Sequence, residues 1–575
     1  MIKHPHLGLI LSTALVASWS AGRTSAADRP NIVVIMADDM GWSDLGCQGG
    51  EIDTPNLDRL ARGGMRHTRF YNAARCCPTR AALLTGLYPH QAGIGHMMAD
   101  RGSDAYRGEL GANTVTIAEA LRDTGYRTYM AGKWHVTKKI APSAEVEKAG
   151  WPLHRGFDRF YGTIHGGGSY FDPVSLVRDD RLISAYDDPE YRPREYYYTD
   201  AISDHAVRFI GDHSRDHDSK PFFLYVAYTA PHWPMQAKAA ELAKYRGRYD
   251  AGPAAIRKAR LEKQRRLGLI VADLEPSPPI TPNEGPIDSA FEARCMEVFA
   301  AMVDTLDQGV GRIVGELERT GRMNDTVILF LQDNGACAEG MGRSRKAPAP
   351  AVRAGTPSLP PMLASTLQTE MIPAQTRDGY PMRQGYGVLP GGADTFIAYG
   401  EAWAQVGNTP FREYKHWVHE GGISTPLIVH WPSGIAENRR GELDPQPSHL
   451  IDIMPTCLEL AGATYPKTRA GLAITPQEGV SLLQAWRGKE LDRGRPIFWE
   501  HEGNRAVCDG RWKLVAKHRG PWELYDIEVD RVERRDLAAR EPDRVAKMSA
   551  AWKAWAKRVG VRPWPLTDAP KEKRP

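Results

Sequence analysis

Several apolar runs in this chain end in residues able to do chemistry. "NIVVIMADD" closes on Asp38 and Asp39, and "YRTYMAGKWH" on Lys133 and His135. "PFFLYVAYTAPHWP" carries His232 near its end, and "DTVILFLQDNG" closes on Asp333 and Asn334. Asp38, Asp39, Asp333 and Asn334 offer only hard oxygen donors, which suit Ca²⁺ or Mg²⁺ and not a thiophilic metal. Arg80, Lys133, His135, His232 and Lys415 supply positive charge and groups that move protons. A divalent cation beside such a ring of donors makes a pocket for a tetrahedral anion, where developing charge meets preorganised partners. A nucleophile is still needed, and no Ser-His-Asp arrangement is visible. "ARCCPTRAALLTG", residues 74–86, sets Cys76 beside Cys77 at the mouth of a helical pattern. A disulfide between neighbours needs a strained ring, and the C-x2-C spacing of a zinc site is absent. A nucleophile and plain packing remain open at this point.

The elements that must position these groups follow from pattern. The β-branched runs read as buried strands emptying into polar loops. They alternate with helical stretches: "TPNLDRLARGG", "TVTIAEALRDTG" and "FAAMVDTLDQGVGRIVGELERTG", with "TPLIVHWP" and "SHLIDIMPTCLELAG" continuing the alternation. That order predicts an α/β domain with a mostly parallel sheet covered on both faces. Ligands of such sheets bind at the C-terminal edge of the strands, where the polar tips converge. After about Asp492, short aromatic and aliphatic runs separated by Gly-Asn, Asp-Gly and Arg-Gly turns predict a small antiparallel sheet. A terminal helix, "PDRVAKMSAAWKAWAKRVG", follows it. Residues 336–408 are rich in Pro and Gly with little periodicity, as in a long functional loop.

Composition excludes other classes. Hydrophobic content of 42% with 25% charge is that of a globular chain, not a disordered one. The 74 basic and 70 acidic residues leave a formal charge of +4 with no block of like sign, so no nucleic-acid partner is indicated. The most basic stretch, "RKARLEKQRRLG", reads as a solvated helix face. Residues 1–26 have a short positive region, an apolar run and small residues near Ala26, which predicts a signal peptide and export to the periplasm or beyond. No later segment is apolar enough to span a membrane. The expected layout is a signal peptide over 1–26, a catalytic α/β domain over 27–491 and a C-terminal subdomain over 492–575. Seven scattered cysteines are too few for a disulfide scaffold.

The motif "CCPTRAALLTG" fits the sulfatase signature, and the likeness extends in order through "VVIMADDMGWSDLGCQGGEIDTPNLDRLA", "AGKWH", "AYTAPHWP", "FLQDNGACAEG" and "NTPFREYKHWVHEGGISTPLIVHWP". The chain thus resembles the arylsulfatase branch of the alkaline-phosphatase superfamily from about Asn31 to Ala538. The resemblance implies a large domain with a mixed central sheet sandwiched by helices, and a smaller C-terminal domain on a four-stranded antiparallel sheet. It implies that Cys76 is converted to formylglycine (3-oxoalanine) by a formylglycine-generating enzyme that reads Pro78 and Arg80. Cys77 falls at the variable position and is expected to do no more than fill space. The hydrated aldehyde would attack sulfur, form a sulfo-enzyme and expel sulfate on return to the aldehyde, splitting one difficult displacement into two easier steps. Asp38, Asp39, Asp333 and Asn334 would hold one Ca²⁺, and Arg80 and Lys133 would hold the diol. His135 would take the proton that restores the aldehyde, while His232 and Lys415 would bind sulfate and assist the leaving oxygen. His96, His416 and His419 flank motifs and are candidates for outer or substrate-side contacts. The implied activity is hydrolysis of sulfate monoesters, aryl sulfates in assay and sulfated glycans or small molecules in nature. The rivals are a phosphatase or phosphonate monoester hydrolase of the same superfamily and a non-catalytic protein that binds sulfated glycans. Loops 170–199 and 336–408 would set specificity, and the aromatic "EYYYTD" has two readings, a ring-stacking surface or core.

Overall fold

A computed structural model describes residue 1 and residues 29–140, 145–280, 288–346, 348–350 and 352–567. The proposed signal peptide lies outside the described residues, apart from Met1.

The large domain is built on one sheet. Its strands are β1 (Asn31–Ala37), β2 (Met65–Tyr71), β3 (Arg127–Gly132), β4 (Arg159–Thr163), β5 (Leu176–Arg178), β6 (Arg181–Leu182), β7 (Phe222–Ala227), β8 (Thr326–Gln332), β9 (Ser424–His430), β10 (Leu443–Asp444) and β11 (Ser448–His449). The order is β10-β2-β9-β8-β1-β7-β3-β4-β5-β6, with β11 also on β2. Strands β8, β1, β7, β3 and β4 run parallel. Strand β9 runs antiparallel to both β8 and β2, and β5 and β6 turn back at the far edge. The sheet is therefore mixed with a parallel centre.

Alternation along β1 explains why that strand reads as unbroken apolar sequence. Val33, Ile35 and Ala37 join a core with Leu57, Leu60, Ile202, Phe209, Val303 and Ile313. Those partners lie on helices Pro55–Gly63, Tyr198–Asp216 and Ser289–Arg319. Ile32, Val34 and Met36 face the other way, into a core with Leu83, Leu84, Ile117, Leu121 and Met454. Successive strand side chains point to opposite faces, so a strand covered on both sides must be apolar throughout. The "EYYYTD" segment resolves to core: Tyr196, Tyr197 and Tyr198 are all buried within the first cluster.

A two-stranded ribbon, β12 (Thr468–Arg469) and β13 (Leu472–Ala473), precedes the C-terminal sheet of β14 (Ile497–His501), β15 (Asn504–Asp509), β16 (Trp512–Ala516) and β17 (Glu523–Asp526). These four strands are antiparallel in sequence order. One face, with Val507, Leu514 and Leu524, covers Met548 of the terminal helix Pro542–Val559. The other, with Trp499, Ala506, Cys508 and Val515, packs on Tyr71, Ala74, Val418 and Ile423 of the large domain.

One sequence reading changes here, and another holds. The stretch 257–268 is not simply a solvated face. In helix Gly252–Arg266, Arg257, Arg260, Leu261 and Gln264 are buried. Arg260 donates to Asp44 Oδ1 at 2.5 Å and to Glu51 Oε2 at 2.7 Å. A guanidinium satisfied by two carboxylates can be buried where an unpaired one cannot. The long segment 336–408 forms no strand, only a helix at Glu401–Gly407 and isolated bridges among its described residues. Among the described residues no helix is long and apolar enough to cross a membrane.

Candidate active site

Parallel neighbours bring their C-terminal ends to one edge, and the register sets those ends level. Ala37 pairs with Gln332, Met36 with Ala227, and Gly132 with Ala227. The residues just beyond are Asp38 and Asp39, Asp333 and Asn334, His232, and Lys133 and His135. The helix Cys76–Thr85 starts at this edge with Arg75 in extended conformation as its N-cap, and all ten of its residues are buried. The segment 408–416 brings Lys415 to the same edge from the side of β9. Asp39 and His135 hold left-handed backbone, at φ of 65° and 57°, a strain that recurs at functional sites.

The contacts are dense. Arg80 Nη2 donates to Asp38 Oδ2 at 3.2 Å and to Asp333 Oδ2 at 3.0 Å. Its Nη1 donates to the carbonyl of Lys133 at 3.2 Å and to the hydroxyl of Tyr225 at 3.4 Å. Lys133 Nζ donates to Asp38 Oδ2. Asn334 Nδ2 donates to Asp39 Oδ1 at 2.7 Å, and the Asp39 amide to Asp333 Oδ1 at 3.2 Å. Lys415 Nζ lies 2.9 Å from Asp39 Oδ1, and His232 Nε2 lies 3.5 Å from Asp39 Oδ2. Asp38, Asp39, Asp333, Asn334, Arg80, Lys133, His232 and Lys415 thus form one contact network at this strand edge.

The electrostatics follow from burial. It pushes the Asp333 carboxyl well above the usual range, and the charge of Asp38 adds to the effect. Burial works the same way on Asp38, but Lys133, His232 and Arg80 outweigh it and hold that carboxyl at about 2. On Lys415 burial opposes the charge, and Asp39, Cys337 and Glu339 overcome it, so the ammonium is held well above its ordinary value. Burial alone accounts for most of the fall at His135, to about 3, which keeps its imidazole neutral. A hydrogen bond from Cys77, with Lys133 and His135 beyond it, draws the Cys76 thiol well below its ordinary range against the effect of burial. Position 76 therefore favours negative charge.

The acid–amide cluster fits a hard divalent cation. Asp38 Oδ1 and Asn334 Oδ1 are buried with no hydrogen-bond partner among the described residues, although buried polar atoms are nearly always paired. Both belong to the four residues that sequence chemistry marks as oxygen ligands. Like-charged buried acids also raise one another's pKa, a penalty that a cation among them would remove.

Two residues here, Arg75 and Glu339, escaped the sequence reading, and a third, Cys77, was given too small a part. Cys77 does more than fill space, because its Sγ lies 3.2 Å from His135 Nε2. Glu339, within "FLQDNGACAEG", accepts from Trp233 Nε1 at 2.7 Å and pairs with Arg75 at 3.0 Å. It also lies 3.5 Å from Lys415 Nζ. Arg75 and Glu339 line a cavity of about 750 Å³ with Trp233, Met341, Ser344 and Lys346. A carboxylate six residues past a strand tip was the available signal for Glu339. His416 contacts Arg75, Glu339 and Glu502. His419 is fully buried instead, and its Nε2 lies 3.9 Å from Glu523.

Comparison with known proteins decides the kinship. The sulfatase family model matches residues 30–463. The chain belongs to the sulfatase family. A second model, the C-terminal region of N-sulphoglucosamine sulphohydrolase, matches residues 411–553 of this sulfatase. An uncharacterized sulfatase of Schizosaccharomyces pombe is 31% identical, covering 94% of this chain and 95% of its own. An arylsulfatase of Klebsiella aerogenes is 32% identical over 82% of this chain and 95% of its own. Among solved structures, Ps i-CgsB, determined in complex with k-i-k-neocarrahexaose, shares the fold at TM-score 0.61 and 24% identity, covering 94% of both chains. The phosphonate monoester hydrolase of Agrobacterium radiobacter shares it at TM-score 0.54 and 18% identity, covering 92% of this sulfatase and 96% of its own chain.

Proposed function

We propose that this protein is an exported sulfuric ester hydrolase that uses Cys76 as formylglycine, made by a formylglycine-generating enzyme, and one Ca²⁺ held by Asp38, Asp39, Asp333 and Asn334. The observation that carries this reading is the position of Cys76. It lies at a helix start, drawn toward negative charge by a hydrogen bond from Cys77 and then by Lys133 and His135, beside an acid–amide cluster with two oxygens that lack a hydrogen-bond partner among the described residues. Calcium there would polarise a sulfate oxygen and offset charge on the attacking group. A hydrated aldehyde at position 76 would supply one hydroxyl as nucleophile and a second whose deprotonation frees the product.

The chain's own residues take distinct parts. His135 lies by the start of the helix that carries residue 76, its Nε2 3.2 Å from Cys77 Sγ, where it would accept the proton that restores the aldehyde. His232 is suited to the opposite task. Its Nδ1 lies 2.7 Å from the carbonyl of Trp233, which can only accept, so Nδ1 carries a hydrogen. With Nε2 facing Asp39, the ring in its doubly protonated form has a proton to give to a leaving oxygen. Lys415, held charged by Asp39, is the second cation on that side. Arg80 and Lys133 neutralise Asp38 and Asp333 and fix the floor of the pocket.

Glycan sulfates are the proposed natural substrates, and aryl sulfates the assay substrates. Relatives support the first point: an N-acetylgalactosamine-6-sulfatase of Sus scrofa is 27% identical over 91% of this chain. The cavity beside Arg75 and Trp233 is of a size that binds small ligands. Mass spectrometry of the peptide containing Cys76, with turnover of aryl sulfate and aryl phosphate by wild type and Cys76→Ala, tests the reading. Expected are an aldehyde at position 76, a preference for sulfate, and loss of turnover in the variant by more than about 10³-fold. A fully modified wild type whose Cys76→Ala variant keeps its activity overturns the mechanism. A preference for phosphate moves the protein to the rival hydrolase class.

A further inference from the structure

Beyond the catalytic pocket, at the seam between the large domain and the C-terminal sheet, lies a cluster that the mechanism does not use. His96 comes from the loop after helix Pro89–Ala92, and His501 and Glu502 form the end of β14 and its turn into β15. Their donor atoms all lie within 4.8 Å of one another. His96 Nε2 is 3.0 Å from Glu502 Oε1, and His501 Nε2 is 3.7 Å from the same oxygen. A tetrahedral ion with ligand bonds of about 2.05 Å needs donor–donor edges of roughly 3.3 Å. The two separations bracket that edge.

A second, independent observation concerns His501. Its side chain is almost wholly buried, yet neither ring nitrogen has a hydrogen-bond partner among the described residues. Buried imidazoles normally bond through at least one nitrogen. The surroundings are of the kind that orient metal ligands. His416 Nδ1 lies 3.3 Å from Glu502 Oε2, the oxygen that points away from His96, and His416 Nε2 lies 3.2 Å from Glu339. The nearby Arg75 guanidinium is already paired with Glu339. His96 and His501 stack at 5.6 Å with 16° between planes, and Trp564 flanks His96 at 5.1 Å. Glu502 holds left-handed backbone, at φ of 52°.

We propose that His96, His501 and Glu502 form a second metal site, for a divalent d-block ion of the zinc class, that ties the C-terminal sheet to the wall of the catalytic pocket. Two imidazoles and one carboxylate suit such an ion, whereas the all-oxygen set at Asp38 and Asp333 suits calcium. The two sites therefore sort their ions by chemistry.

The test uses full-length protein stripped with chelator, reloaded with Ca²⁺ and titrated with Co²⁺, then with Zn²⁺ in competition. Expected is one equivalent of Co²⁺ with visible absorption of a low-coordinate site, displaced by Zn²⁺. His96→Gln and Glu502→Gln should weaken it by at least about 100-fold. Asp333→Ala should leave the Co²⁺ spectrum intact, which separates this site from the catalytic centre. His96→Gln alters a partly exposed loop side chain, so it remains informative if a His501 variant fails to fold. Absence of Co²⁺ binding at micromolar concentration, or binding lost in Asp333→Ala and kept in His96→Gln, overturns the proposal. A His96→Gln variant that loses turnover while its Co²⁺ spectrum is unchanged assigns the cluster to substrate contact and overturns it equally.

Discussion

Replacing Lys513 by Met should destabilise the seam between the two domains by about 3–5 kcal/mol, the cost of removing one partner from a buried ion pair. Lys513 Nζ, on β16, donates to Glu420 Oε1 at 2.8 Å and lies 2.8 Å from Glu533 Oε1, and none of the three side chains is exposed. At an effective dielectric of about 20 each contact is worth roughly 6 kcal/mol gross, and the several-kcal/mol cost of burying the ammonium offsets much of this. After substitution Glu420 keeps Arg531 at 3.1 Å. Among the described residues Glu533 keeps the Glu420 amide at 3.1 Å and Arg412 at 3.6 Å. The pH dependence has a definite sign. In the wild type burial opposes the Glu420 charge, and Lys513 and Arg531 outweigh it and lower the pKa. That stabilises the protein above the ordinary glutamate range and is lost as pH falls through the depressed value. In the variant Arg531 alone opposes the burial of Glu420, so that carboxyl rises, and the stability it gives is present at low pH and lost as pH rises through the higher value. The deficit is therefore largest near pH 8 and shrinks toward pH 5. Urea denaturation at both pH values, with hydrogen exchange on peptides covering Trp512–Ala516, reads it directly. Lys513→Met/Glu533→Gln should recover most of the loss. A deficit below about 1 kcal/mol, or one equal at both pH values, refutes the reasoning.

Gly166→Ala should fold and yet lose most of its activity, because an added Cβ would fall 2.1 Å from Cε1 of His135 and move the ring. Turnover with a far-UV spectrum and a melting curve separates displacement from unfolding, and unchanged kcat/KM contradicts it. Arg260→Met should cost about 3–5 kcal/mol by stranding Asp44, which caps the amide of Gly41 at 2.7 Å just beyond Asp39. Calcium affinity should weaken with it, as titration calorimetry would show.

The site was legible where chemistry coincides with pattern. Asp38, Asp333, His135 and His232 stand where buried strands must end, so period and residue type point to the same place. Glu339, His501 and Glu502 were not legible as contacts, because pairing them requires the path of a long loop and the docking of a separate sheet. Cys77 was misjudged because a variable position in a motif says nothing about which neighbour its side chain meets. The 257–268 helix misled for a related reason. Charge along a helix predicts solvent until an Asp44 and a Glu51 from a distant loop supply partners.

The helix that opens on Cys76 has a consequence in time. Residue 76 is nearly wholly enclosed, and the strand before it, β2, is locked between β9 and the short β10 and β11. The enzyme proposed to modify Cys76 would therefore have to act before residues 424–430 pair with β2, because the folded chain leaves that side chain almost no exposed surface.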